Sequence, residues 1–367
     1  MKILYDPQIF TWQKYGGISR YFHEITQNII EIEGVSCDLS LLISNNHYIS
    51  EKKLTKHIEL FKKTDFRGKL RLFDYINKSN TFLELKRQNF DIFHPTYYDP
   101  YFLKHLGNKP FVLTVYDMIH EKFGSIFPIT DKTTERKKLL VKKAAKIIAI
   151  SQSTKNDLIQ IFDTDESKIE VIHLGNSIFP KENINLNLEI PEKYLLFVGN
   201  RNNYKNFNLF IKGVSSLLKS DNDLFVVCAG GGTFTNSELK LLSELGILKQ
   251  VFQYNSDDET LAFFYRNALT FVFPSLYEGF GIPILESFSC GCPLVCSGIS
   301  SLPEIAGEAA CYFDPYSEES IRNTISTIIN DANLRKDLVN KGYGQLNNFS
   351  WKKTTEETRK LYEGILK

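Results

Sequence analysis

Apolar and polar positions along the chain fall into short runs that change character at regular intervals. Segments rich in Ile, Val, Leu and Phe recur at 2–5, 37–43, 91–94, 111–116, 146–150 and 169–172. Several are apolar throughout, the pattern of parallel strands covered on both faces. Helical patterns fit between them at 18–30, 131–145 and 153–162, and Ser151 and Ser153 stand where the last of these needs an N-cap. Residues 180–193 are polar and Asn-rich with a proline near either end, which predicts a linker. The alternation then restarts, with strands over 194–198, 224–229, 250–252, 270–273 and 294–296 and helices near 207–219, 235–245, 257–267 and 282–290. The last 50 residues look helical. Two successive βα arrays predict two doubly wound α/β domains, at 1–180 and 190–350, facing across a cleft.

Composition narrows the class. The chain has 367 residues, 43% apolar and 24% charged, enough for two domains with substantial cores. A net charge of +1 argues against a globally basic nucleic-acid binder. That near-neutral sum hides two unlike halves. Residues 1–180 carry 26 Lys/Arg against 21 Asp/Glu, or +5, and residues 181–367 carry 18 against 22, or −4. The N-terminus lacks the apolar run of a secretory signal, and no apolar stretch approaches the roughly 20 residues that span a bilayer. The six cysteines lack zinc-ligand spacing, so Cys290, Cys292 and Cys296 are expected as buried thiols of a cytosolic, reduced protein.

Three motifs carry candidate chemistry. Gly16-Gly17 lies between the first strand and the first helix, where backbone amides and the helix dipole favour an anion; a tight βα turn is the alternative. Arg201 and Lys205 lie past the first strand of the second array, where open α/β sheets bind ligands and two cations can clamp a diphosphate; a solvated basic turn is the alternative. The most specific is 274–286, in which Glu278 and Glu286 stand eight apart around Gly279, Phe280, Gly281 and Pro283. Glycine-freed amides suit phosphate and the two carboxylates suit hydroxyls, a combination that a sugar nucleotide offers.

Together Gly16-Gly17, Arg201…Lys205 and Glu278-x7-Glu286 resemble glycosyltransferase family 4, the retaining enzymes of the GT-B fold. The resemblance extends through 115–121, 148–151, 300–307 and the closing Phe349-Ser350-Trp351, and is strongest toward bacterial O-antigen and capsule transferases. It implies two Rossmann-like domains, with a C-terminal helix over about 351–367 returning to the N-terminal one. It further implies that Arg201 and Lys205 hold the donor diphosphate, helped by amides around Gly17 and across Phe280, Gly281 and Ile282. Glu278 would bond the transferred sugar and Glu286 the ribose. Many relatives have His-Asp where this chain has Tyr116-Asp117, which leaves the sugar contact different, while His120 would serve the acceptor side. No metal or other cofactor is implied.

The expected reaction moves a sugar from a nucleoside diphosphate, a GDP-mannose-type donor favoured over a UDP-sugar, to a hydroxyl of a glycan or lipid-linked acceptor. With Glu278 placed on a sugar hydroxyl, the expected course is front-face departure of the diphosphate rather than double displacement. Alternatives are a non-catalytic nucleotide-sugar-binding partner in a polysaccharide assembly, or a GT-B epimerase. The basic, Phe-containing stretch 52–73 fits either a solvated helix face or peripheral contact with an anionic membrane.

Overall fold

The computed structural model describes every residue except 50–56, 181–188 and 202. The chain divides into two compact units, one of Met1–Leu174 with Trp351–Lys367 and one of Gly175–Ser350.

In the first unit the order is β1 (Lys2–Tyr5), α1 (Gln8–Trp12), α2 (Gly17–Ile29), β2 (Ser36–Leu39), α3 (Lys69–Arg87), β3 (Ile92–His94) and β4 (Val112–Val115), then α4 (Ile119–Lys122), α5 (Thr133–Lys143), β5 (Lys146–Ala149), α6 (Gln152–Phe162) and β6 (Ile169–Val171). All pairings are parallel, in the orders β2-β1-β3 and β4-β5-β6. A single parallel bridge, Phe93 to Phe111, joins the two sheets. Every strand overlaps an expected segment: β1 matches it, β3 to β6 are trimmed by one or two residues, and β2 begins one residue earlier, at Ser36, and stops at Leu39.

The stretch 52–73 does not form one helix. Residues 52–56 lie outside the described part, 57–68 are irregular, and only from Lys69 does the chain turn helical, after Gly68 at φ +93°. A side chain at that φ is strained, so the glycine sets where α3 begins.

The second unit runs β7 (Tyr194–Val198), α7 (Phe207–Ser220), β8 (Phe225–Ala229), α8 (Asn236–Glu244), β9 (Val251–Tyr254), α9 (Asp258–Asn267), β10 (Thr270–Phe273), α10 (Ile282–Ser289), β11 (Leu294–Ser297), α11 (Leu302–Ala306), β12 (Ala310–Phe313), α12 (Glu318–Asn330) and α13 (Ala332–Leu346). One parallel six-stranded sheet has the order β12-β11-β10-β7-β8-β9, the doubly wound arrangement with its direction reversing between β7 and β10. Its core is lined by Phe197, Phe207, Phe210, Ile211, Val214 and Ile321, all essentially inaccessible. β12 was not expected from the sequence; it is a four-residue edge strand, Ala310-Cys311-Tyr312-Phe313, in which only Phe313 is buried. All six cysteines are free thiols, with Cys290, Cys292 and Cys296 buried. Among the described residues no helix is long and apolar enough to cross a membrane.

The last helix, α14 (Trp351–Leu366), belongs to the first unit. A buried polar chain fastens it there. Tyr362 Oη lies 2.6 Å from His94 Nδ1 and 3.1 Å from Tyr5 Oη, and His94 Nε2 meets Thr114 Oγ1 at 2.9 Å. Thr114 Oγ1 is also 3.0 Å from Tyr21 Oη, and Thr354 donates to the His173 carbonyl at 2.7 Å. The links among Tyr5, Tyr21, His94, Thr114 and Tyr362 are buried, so losing one leaves its partner unsatisfied. Tyr362→Phe is expected to lower stability by about 1–3 kcal/mol, read as a lower urea midpoint. Burial drives the His94 pKa down to about 3 from 6.5, so the imidazole is neutral when folded. The unfolded chain then binds the extra proton below pH 6.5, and stability falls from there toward pH 3 by up to about 1.4 kcal/mol per pH unit. His94→Gln should flatten that slope in urea titrations; an unchanged slope would assign it to other groups.

Candidate functional site

Because the second sheet reverses between β7 and β10, the loops leaving their C-terminal ends diverge and open a crevice between them. The β7 loop carries Lys205 and the β10 loop carries Glu278. Lys205 Nζ lies 2.6 Å from Glu278 Oε1, with side chains 16% and 12% exposed. The ammonium also lies 5.4 Å from the ring centres of both Tyr204 and Phe273. The two loops are tied through their backbones, since Leu276 N donates to the Tyr204 carbonyl at 2.7 Å.

The β10 loop is braced from one side. Ser300 Oγ accepts from Glu278 N at 3.0 Å and donates to the Glu278 carbonyl at 2.6 Å. Ser301 Oγ reaches the Glu278 and Phe280 carbonyls, both at 2.9 Å. Ser300 holds φ +61°, a costly conformation for a serine, and it keeps the hydroxyl on the loop. These two serines are functional supports that the sequence reading quoted only as part of a motif. Their spacing from Glu278 gives no local sign of contact.

At the end of that loop Gly281 caps α10 with φ +102°, and a Cβ there would stand 3.0 Å from Leu302 Cδ2. Among the described residues no hydrogen bond is made by the amides of Gly281 and Ile282, so both are open to an acceptor at the helix dipole's positive end. Phe280 is buried against Phe349. Glu286, one turn into α10, is only 6% exposed and accepts from Tyr265 Oη at 3.1 Å. Burial, with the Glu286 charge beside it, pushes the Tyr265 phenol well above its usual range.

Arg201 is placed otherwise than expected. Its side chain is 3% exposed, and Nε donates to Glu238 Oε1 at 2.8 Å. Nη1 donates to the Gly230 carbonyl at 3.2 Å, and Nη2 to those of Gly232 and Thr233 at 2.9 and 3.1 Å. The guanidinium lies 4.7 Å from the Phe234 ring centre. Gly230, Gly231 and Gly232 all have positive φ, and a Cβ on Gly231 would fall 2.7 Å from the Gly199 carbonyl oxygen. Only glycine lets the β8 loop fold this close, and Arg201 then holds the carbonyls it exposes. Glu238 completes the brace as the N3 member of a capping box with Thr235. Burial raises the Glu238 pKa, but the Thr235 amide and the Arg201 guanidinium together hold it below the usual range. In this arrangement Arg201 has few donors left over and holds the loop after β8.

In the first unit the expected residues separate into a turn and a core. Gly16 caps α2, and a Cβ there would collide with the Gln13 carboxamide. Gly17 begins the helix. Tyr116 is buried in the core. Its hydroxyl donates to the Thr96 carbonyl at 3.2 Å, and its ring meets Tyr21 and Tyr98. Asp117 caps the turn into α4 by accepting from Ile119 N at 3.0 Å. His120 stacks on Phe127 with centroids 3.9 Å apart, and its Nε2 is 3.7 Å from Asp131 Oδ2. Burial, then the Lys137 charge, lowers its pKa, so it is neutral near pH 7.

Beneath this turn lies an ion pair that the sequence reading missed. Lys137 Nζ contacts Glu121 Oε2 at 2.8 Å, both side chains almost fully buried, and donates to the Asp117 carbonyl at 2.9 Å. Lys137 sits in the run Thr-Thr-Glu-Arg-Lys-Lys-Leu-Leu-Val-Lys-Lys, where nothing distinguishes it from its solvated neighbours.

Both halves of the chain match known domains. The family model for Glycosyltransferase Family 4 covers residues 15–176, and that for Glycosyl transferases group 1 covers residues 180–345. The chain has the GT-B fold and belongs to the glycosyltransferases built from this pair of domains. A glycosyltransferase of Rickettsia africae ESF-5 superposes with TM-score 0.73 at 20% identity, over 100% of this chain and 98% of that one. The O-antigen chain mannosyltransferase B of Escherichia coli is 30% identical over 229 residues, 59% of this chain and 60% of its own length. The O-antigen chain mannosyltransferase RfbU of Salmonella typhimurium is 30% identical over 192 residues, 52% of this chain and 53% of that one. The chain thus matches between half and two thirds of the length of these two relatives.

If Arg201 is a brace, its loss should be seen first in folding. Arg201→Ala leaves Glu238 without its cation, held only by Thr235, and the loop carbonyls without their donors, and is expected to cost about 3 kcal/mol in urea denaturation. Gly231→Ala should cost about 1–2 kcal/mol by forcing the same loop open. A stable Arg201→Ala protein that has lost only donor affinity would return Arg201 to direct phosphate contact.

Proposed function

We propose that the protein transfers a glycosyl group from a nucleoside-diphosphate sugar to a hydroxyl of a glycan or lipid-linked acceptor in surface polysaccharide synthesis. The observation that carries this reading is the Lys205–Glu278 pair at the sheet reversal, beside the open amides at the head of α10. A cation and two amides face one crevice, which suits a diphosphate, and the carboxylate beside them suits a sugar hydroxyl. The donor favoured is a GDP-mannose-type sugar, in keeping with the mannosyltransferase names of the two O-antigen relatives.

When the donor binds, Lys205 turns from Glu278 to the diphosphate, and Glu278 is released to accept from a hydroxyl of the transferred sugar. Glu286, held by Tyr265, takes the ribose hydroxyls. As the bond from the anomeric carbon to the diphosphate lengthens, negative charge gathers on the departing oxygen. Lys205 and the Gly281 and Ile282 amides stabilise it. On the same face the acceptor oxygen bonds the anomeric carbon while its proton passes to the departing diphosphate oxygen, so the anomeric configuration is retained. Charge neutralisation is assigned to these groups and no metal is required. His120, neutral near pH 7, serves the acceptor side with Asp117 fixing its turn. Peripheral contact with the cytoplasmic face of an anionic membrane, through the described part of 52–73, would bring a lipid-linked acceptor within reach.

Lys205→Ala is expected to lower kcat about 100-fold with GDP-mannose while KM changes less, since the lost contact strengthens as charge develops. Glu278→Gln should lower turnover and relax discrimination between donor sugars. A chelator should leave the rate unchanged, and NMR of the product should show the donor's anomeric configuration. Wild-type turnover in Lys205→Ala, or an inverted product, would overturn the mechanism. Donor binding with no product from any acceptor would favour a non-catalytic partner.

A further inference from the structure

The short turn that carries His120 is anchored more heavily than its length requires. α4 has only four residues, and three groups flanking His120 are tied down. The Asp117 carbonyl and the Glu121 carboxylate both meet Lys137 Nζ, at 2.9 and 2.8 Å. Lys122 pairs with Asp157 Oδ1 at 2.6 Å. His120 itself keeps 19% of its side chain exposed, with its ring stacked on Phe127 and Nε2 beside Asp131.

Lys137 is an expensive choice of anchor. Its side chain is fully buried, in a slot formed by the Asp117 carbonyl, the Glu121 carboxylate and the Tyr98 ring, whose centre lies 5.1 Å from Nζ. Taking two charges out of water is costly, and two apolar side chains of similar size would hold α5 against α4 more cheaply. The match is also incomplete, since Glu121 Oε1 is buried with no hydrogen-bond partner among the described residues. Stability alone does not account for such a pair. What an apolar pair would lack is the staple: one ammonium grips the chain at 117 and again at 121, so the backbone on both sides of His120 is fixed.

We propose that Lys137 and Glu121 are positioning residues for His120, locking the turn that carries it so that the imidazole is presented to an acceptor hydroxyl. The inference rests on the transferase reading, in which His120 serves the acceptor side, and assigns what holds it there. The pair also sets the charge that the imidazole feels. Burial and then the Lys137 charge disfavour the imidazolium, and they outweigh Asp117, Asp131 and Glu121, which favour it. Other charged groups near the turn are engaged, Lys122 with Asp157 and Arg136 with Asp99 at 3.8 Å. Tyr97 adds no charge, because burial and the same three carboxylates push its phenol up to about 12. A neutral imidazole can accept a hydrogen bond from a hydroxyl, whereas an imidazolium can only donate.

The test follows His120 itself and does not depend on turnover. The full chain is labelled with carbon-13 at histidine Cε1, and the His120 signal is assigned by its absence in His120→Gln. In Lys137→Met the His120 pKa should rise by about half a pH unit or more, because the cation opposing its charge is gone. Lys137→Arg should restore it. Since Lys137→Met leaves Glu121 unpaired, Lys137→Met/Glu121→Met is measured beside it and should fold with both charges replaced. In that variant the upfield shift that the Phe127 ring imposes on His120 Hε1 should collapse toward that of an unstacked histidine. An unchanged pKa in Lys137→Met, no rescue by Lys137→Arg, or an unchanged ring shift in the double variant would overturn the proposal. With GDP-mannose and octyl α-mannoside, the acid limb of kcat/KM for the acceptor should move up in Lys137→Met together with the His120 pKa. Donor KM should stay within about twofold. A profile lowered at every pH with its limb unmoved would assign the pair a purely structural role and overturn the positioning one. Absence of turnover in the wild type would count against the transferase reading, while the His120 titration still decides this one.

Discussion

Neighbouring strands of a parallel sheet cannot be joined by a hairpin, so each connection must cross a face of the sheet, and nearly always with one hand. The second unit meets this constraint by starting at its centre. β7 is laid first, β8 and β9 are added on one side, and β10, β11 and β12 on the other. Only at β7 and β10 do consecutive loops leave toward opposite faces, and nothing regular fills the space between them. Lys205 and Glu278, 73 residues apart, meet there because those two strands pair. The glycines at 230–232, the serines at 300–301 and the cap at Gly281 all serve to hold backbone around that gap.

Buried charge does the holding. Arg201 with Glu238 and Lys137 with Glu121 are each largely removed from water, an arrangement that is expensive unless every donor is matched. Arg201 goes most of the way with four loop carbonyls and Lys137 adds one, while Glu121 Oε1 has no hydrogen-bond partner among the described residues. In each case the carbonyls belong to a loop leaving a strand's C-terminal end. Both pairs are better suited to fixing loop geometry than to adding stability, because a hydrophobic pair would pack more cheaply but would leave those carbonyls without donors.

Much of the fold was legible along the chain because parallel strands bury both faces and so write themselves as continuous apolar runs. β7 and β10 are such runs, and their limits were readable to the residue. β12 was not, because its apolar run is only four residues long and lies at the sheet edge, where three of the four are not buried. The 52–73 stretch read as a helix candidate because its charges and aromatics suit an amphipathic face, but 57–68 are irregular and α3 starts only after Gly68. Among site residues, Lys205 and Glu278 were identifiable by their places in loops after strands. Arg201, three residues past the end of β7, has the same local signature, and only the fold of the distant Gly230–Thr233 loop separates a brace from a ligand contact.

The sequence by itself determined the class of architecture, the two-domain division of labour in charge, and the family, because apolar periodicity and the Glu278-x7-Glu286 spacing are local properties of the chain. It also determined that carboxylates and cations would stand at strand ends. Tertiary structure decided which of them remain available. Tyr116 became core, Arg201 became a clamp, and Lys137 was drawn from a run of solvated lysines into a dry ion pair. Availability is set by which distant backbone carbonyls and aromatic faces close over a side chain, and such contacts leave no periodic trace in the sequence.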